Sequence, residues 1–139
     1  MFKKIVLGFT ATLACSTAFA APEWVAVGLT KDDRGAVVHF ELKSGSMQIY
    51  NKDNGAPVVF ATMREFVPGG NYQFALVGFP VSACVDGMGQ LVLFDMQGNI
   101  TSKHDVVSRG GTVGSDIFDT MCGALKAAGN KPTHNSTDL

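Results

Sequence analysis

The feature that most constrains this chain is how often it is told to turn. Asp32-Asp33-Arg34-Gly35, Ser44-Gly45, Asp53-Asn54-Gly55, Pro68-Gly69-Gly70, Asp86-Gly87-Met88-Gly89 and Gln97-Gly98-Asn99 follow one another at short intervals. Each combines residues that tolerate positive φ, fix φ, or bond to their own backbone. The stretches left between them are too short for ordinary helices, and apolar residues alternate within them with a period of two. A chain cut up in this way has one economical solution, a set of short antiparallel strands joined by tight turns.

Seven such strands can be placed. Residues 23–29 (EWVAVGL) put Trp24, Ala26 and Gly28 on one face and Val25, Val27 and Leu29 on the other. In residues 36–42, Val38, Phe40 and Leu42 are in phase, with Val37, His39 and Glu41 opposite. That second set turns polar, as expected of a sheet with one wet face. Residues 47–50, 58–66 and 72–77 follow, the last placing Tyr72, Phe74 and Leu76 together and running on through Phe79 towards Cys84. Residues 91–95 and a weaker segment at 100–107 complete the set. No helical pattern intervenes, which favours an antiparallel meander over βαβ units.

The period changes after Gly114. Ile117, Phe118, Met121, Cys122, Leu125 and Ala128 recur at helical spacing and form one apolar stripe. Ser115 is the expected N-cap, with Asp116 in the first turn where a carboxylate meets the positive helix end. Gly129 is placed to close the helix and Pro132 to prevent its resumption. The fold class expected is α+β, an antiparallel meander packed against a C-terminal helix. The domain spans residues 21–129, and residues 130–139 read as a flexible tail.

Residues 1–20 read as an export signal. Lys3 and Lys4 precede a short apolar run, and Ala18-Phe19-Ala20 supplies the small-x-small pattern, which places cleavage between Ala20 and Ala21. A lipoprotein cut at Cys15 is the lesser alternative, because Thr12 stands where such boxes usually carry Leu. Without residues 1–20 the chain has 119 residues, nine basic against twelve acidic, and a net charge of −3. This offers no basic face for nucleic acid. No later run is long and apolar enough to suggest a spanning helix.

Removal of the signal also leaves an even pair of cysteines, Cys84 and Cys122. In an oxidising compartment, the periplasm or the outer-membrane surface, the pair reads as one disulfide, with two buried free thiols as the alternative. The long loop gives such a bridge a worth of about 4 kcal/mol.

Motifs for chemistry are scarce. His39, His104 and His134 are isolated, with no His-x-His or Cys-x-x-Cys, which leaves no metal or cofactor site to name. No serine sits in a Gly-x-Ser-x-Gly elbow. Glu41 and Glu65 would act as a carboxylate pair only if folding set them across a cleft. Residues 109–114 (RGGTVG) are glycine-rich but lack the Gly-Lys-Ser/Thr end of a phosphate loop, and read as an approach to the helix. Most of the aromatic residues are expected in the core. Tyr50 and Tyr72, each with an apolar body and a polar tip, would also suit a binding surface, but a core or half-core place is the expectation for both.

Taken together, Glu23-Trp24-Val25-x-Val27-Gly28 after a signal, Phe40-Glu41 near a Ser-Gly turn, Cys84 mid-chain, and Gly114-Ser115 leading to a helix with Cys122 resemble the surface-adhesin protein E family of Gram-negative bacteria. Departures are Glu41 where the family more often has Asp, Tyr50 where Trp is common, and Val85-Asp86-Gly87 after Cys84. The resemblance implies a single antiparallel sheet on helix with a disulfide near the C-terminus. It also implies a non-enzymatic surface protein whose partners are host extracellular-matrix proteins or plasminogen. No binding residue carries over. The alternative reading is a periplasmic inhibitor of a lysozyme-like or other enzyme, presenting residues 86–90 or 109–114 to a cleft.

Overall fold

A computed structural model describes residues 23–51 and 55–129 of the chain. The expected signal peptide at 1–20, the lipidation alternative at Cys15, the tail at 130–139, His134, and Asp53-Asn54 of one turn lie outside the described residues. The elements are β1 (Trp24–Lys31), β2 (Val37–Lys43), β3 (Gln48–Tyr50), β4 (Val58–Phe66), β5 (Gln73–Pro80), α1 (Ser82–Asp86), β6 (Met88–Phe94), β7 (Ile100–Val107) and α2 (Val113–Ala127).

The strands form one antiparallel sheet in the order β1-β2-β4-β5-β6-β7, with β3 pairing β4 beside the end of β2. Every neighbouring pair is antiparallel, so the meander expected from the turn spacing is the observed topology. The register of β4 explains its two faces. Val59, Ala61 and Met63 point inward and are nearly fully buried, while Phe60, Thr62, Arg64 and Phe66 alternate with them and face outward.

Helix α2 packs against both β1 and β7, the two edge strands, which makes the sheet a half-barrel curled around it. Ile117, Phe118, Met121 and Leu125 form its buried stripe, and Phe118 meets Phe79 of β5 with ring centroids 4.9 Å apart. Each large side chain buried in this way contributes on the order of 1.5–3 kcal/mol. The N-cap is Thr112, not Ser115: the Thr112 hydroxyl accepts from the Ser115 N–H at 3.1 Å. Ser115 lies three residues into the helix, buried, and accepts the Thr112 hydroxyl at 3.0 Å. Asp116 does occupy the first turn, and Gly129 does leave the helix in the left-handed region at φ 74°.

Two further expectations are corrected. The fifth strand stops at Pro80, and Cys84 sits in the one-turn helix α1, which Gly87 terminates at φ 73°. The sixth strand starts at Met88, so Met88 and Gly89 belong to the sheet instead of a turn. Cys84 and Cys122 are bonded, with Cα atoms 5.5 Å apart, and join α1 to α2 across 38 residues of sequence.

Candidate functional site

The outward face of the sheet carries most of the aromatic side chains. Phe79 and Phe118 are buried and Phe40 packs at the core's margin, but Trp24, Tyr50, Phe60, Phe66, Tyr72, Phe74 and Phe94 lie on strands or turns of the outer face. The expectation that most aromatics are core therefore fails. Its physical cause is that α2 covers only the inner face, leaving the alternate positions of β4 and β5 to the outside whatever their polarity. Tyr50 and Tyr72, expected at a core or half-core place, are instead 40% and 49% exposed, and Phe74 is 49% exposed.

Arg64 organises one half of this face. Cross-strand pairing sets Ala26, Glu41, Arg64 and Phe74 in a row over four adjacent strands. The Arg64 guanidinium lies 4.2 Å from the Trp24 ring centroid, 4.3 Å from that of Tyr72 and 5.7 Å from that of Phe66. Its Nε donates to Glu41 Oε2 at 2.6 Å. Around it Trp24 meets Phe74 at 5.9 Å, Phe66 meets Tyr72 at 4.9 Å, and the His39 ring stacks on Phe66 at 5.3 Å. A planar cation fits such a frame because it interacts with ring faces while its edge bonds to a carboxylate.

The other half is a groove of about 650 Å³ that continues along β4. Phe60, Thr62, Leu76 and Phe94 face it, Tyr50 and Gln48 of β3 border it, the 43–46 turn closes one end and Gly98 the other. Its flat floor has a local cause. A Cβ at Gly78 would fall 2.6 Å from the Phe60 ring, so only glycine lets that ring lie down on the sheet. Phe94 then leans on Phe60, with centroids 5.6 Å apart at 60°. Beside the groove, the turn after β6 is held by Asp95, whose carboxylate accepts from the Gln97 and Asn99 backbone N–H groups. The Asn99 side-chain amide adds a third bond at 3.0 Å and is the main reason the Asp95 carboxyl is held below the ordinary aspartate range.

The other sequence candidates fall into place as structural parts. Glu41 is engaged by Arg64 on the outer face, whereas Glu65 pairs with Phe40 in register and so lies on the opposite face; the two do not converge on a cleft. His104, on edge strand β7, shares a hydrogen bond with the Ser102 hydroxyl at 3.2 Å. Residues 109–114 are tied down from α2, with Asp119 accepting from the Ser108 hydroxyl at 2.7 Å and the Arg109 N–H at 2.8 Å. The clamp holds Arg109 at φ 57°. Among the described residues no group of three metal-ligating side chains converges, and no helix is long and apolar enough to cross a membrane.

What the sequence did not single out is Arg64, Trp24 and Phe74. The available signal was the alternation in residues 58–66, where Arg64 falls in phase with Phe60 and Phe66 on the set that carries the outward aromatics. Compared with protein-family models, curated proteins and solved structures, the chain matches none.

Proposed function

We propose that this chain is an exported, non-enzymatic binding domain that docks a macromolecular partner with the outer face of its sheet, in the manner of an adhesin. One observation carries the reading: a contiguous outer-face cluster gathered around Arg64, in which Tyr72 and Phe74 are exposed and Trp24 and Phe66 half-buried. Tyr, Trp and Arg are the residue types that dominate binding energy at protein interfaces, and exposed aromatic patches of this kind mark interaction surfaces. The free edge of β7 is a poorer docking element, because Lys103, His104 and Asp105 stand in its middle and oppose strand addition. The inhibitor alternative has less support, since residues 86–90 are the end of α1 and the start of β6, and Asp119 ties Ser108 and Arg109 at the head of residues 109–114 to α2. The disulfide supports an oxidising compartment, periplasm or outer-membrane surface.

The test is binding of the chain from residue 21 to purified extracellular-matrix proteins and plasminogen, the partners the family resemblance implies, and to solubilised envelope proteins. Replacing Tyr72 and Phe74 together by Ala is expected to weaken capture by about tenfold or more, as loss of two central anchors does. Replacing Val85 of α1 and Lys126 of α2, which are exposed on the helices away from that face, leaves it unchanged. Equal effects of the two pairs overturn the assignment of the face. Confinement to the periplasm in surface labelling of intact cells removes the host partners.

A further inference from the structure

The groove beside the Arg64 cluster has a shape and a charge that the docking reading does not use. It is built on the aromatic floor that Gly78 permits, and its volume of about 650 Å³ lies in the range of small-molecule sites. Such sites combine an apolar lining with a few polar groups that fix orientation. Here Phe60, Leu76 and Phe94 supply the first, while Lys43, Ser44 and Tyr50 supply the second. Among the described residues Lys43 is the one charged side chain lining the groove, no carboxylate lines it, and Lys43 has no ion-pair partner.

The groove also has a direction. Register places Thr62 of β4, Leu76 of β5 and Phe94 of β6 in one row, with Lys43 at the β2 end and Gly98 beyond β6. From β2 to β6 this is three strand spacings, ~14 Å. With C–C bonds of about 1.5 Å in an extended zigzag, a chain of about a dozen carbons has this length. We infer that the groove binds a single-chain amphiphile of that length with an anionic carboxylate head, the head at Lys43 and the chain lying over Phe60, Leu76 and Phe94. A carboxylate there gains a charge-assisted hydrogen bond from the ammonium, and the chain leaves water against rings already in place.

This inference does not rest on the macromolecular partner, and the Tyr72 and Phe74 substitutions leave the groove lining intact, so the two readings fail separately. The probe is dodecanoate below its micellar concentration, titrated calorimetrically into the oxidised chain from residue 21, with dodecyltrimethylammonium as the charge control. Saturable one-to-one binding is expected for dodecanoate, with the cationic probe about tenfold weaker or more. Lys43→Glu is expected to weaken dodecanoate by about tenfold and to bring the two probes level or reverse them. Thr62→Trp, which fills the middle of the groove, is expected to abolish binding of both. In the unaltered protein, the methyl resonances of Thr62 and Leu76 are expected to shift with dodecanoate while those of Ile117 and Leu125 stay fixed, a readout that does not depend on any variant folding. Absence of saturable binding, equal affinity for the two heads, or methyl shifts away from the groove overturns the proposal. A dimer in sedimentation that buries the groove in a second copy overturns it as well.

Discussion

Arg64 shows how one side chain can organise a surface. Its guanidinium is flanked by Trp24 and Tyr72 and bonded at Nε to Glu41, and its side chain is 18% exposed, as is that of Glu41. Because Trp24 comes from β1, Glu41 from β2 and Phe66 from β4, with Tyr72 just before β5, the cluster sews together strands whose inner faces are held by α2. Arg64→Lys keeps the charge but loses the plane, and is expected to destabilise by about 1–2 kcal/mol. Arg64→Ala costs at least as much, because it also leaves the half-buried Glu41 without its donor. Urea-unfolding midpoints measure both, and full retention of stability in the lysine variant would show that the stacking is incidental. The polar tip of Tyr72 was legible in the sequence, but neither its exposure nor its partners were. In residues 58–66 both alternating sets are largely apolar, Val59-Ala61-Met63 against Phe60-Thr62-Phe66, and alternation separates two faces without saying which one a helix will cover.

Among the elements, the strands were the most legible part and the junctions the least. The bounds expected for β4 and β7 coincide with those observed, since both segments lie between unambiguous turn signals. The run from Val81 to Cys84 was read into a strand because Val81, Ala83 and Cys84 continue its apolar character, and one helical turn is too short to display a period. The start of α2 failed for a related reason. Thr112 and Ser115 are both good capping residues, and the first apolar residue of the stripe, Ile117, favoured the nearer. The cap geometry makes an asymmetric prediction. Thr112→Ala removes the acceptor for the Ser115 N–H and is expected to cost about 1 kcal/mol. Ser115→Ala leaves that acceptor in place and deprives only an exposed hydroxyl of a partner, so its cost is smaller. Thermal or urea unfolding of the two variants decides, and the reverse order would return the cap to Ser115.

At the scale of the molecule, the half-barrel is closed by one helix and one covalent bond. The Cys84–Cys122 bridge, spanning 38 residues, limits the unfolded chain and is worth about 4 kcal/mol on the loop-entropy account. Replacing both cysteines by serine is expected to lower stability by about that amount, a large share of what a domain of this size possesses. Reducing agent is expected to bring the unaltered protein to the same urea midpoint, and peptide mapping without reduction to recover the two cysteines in one fragment. Cysteine parity made the pairing readable in advance. The curl of the sheet was not readable, because it depends on α2 reaching β1 and β7 together, a relation between segments far apart in sequence.

That relation has a consequence in time. A ribosome delivers β1 first and α2 last, yet α2 is the element on which β1 rests, and Gly28 of β1 lies against Val113 and Asp116 at the helix start. The opening strand therefore waits for the closing helix, and the inner faces of the sheet have no cover until residue 125 has arrived. Cys122 travels on that same helix, so the thiol of Cys84 stays unpaired until 38 further residues have emerged. Formation of the bond is the chemical record that the last piece has docked.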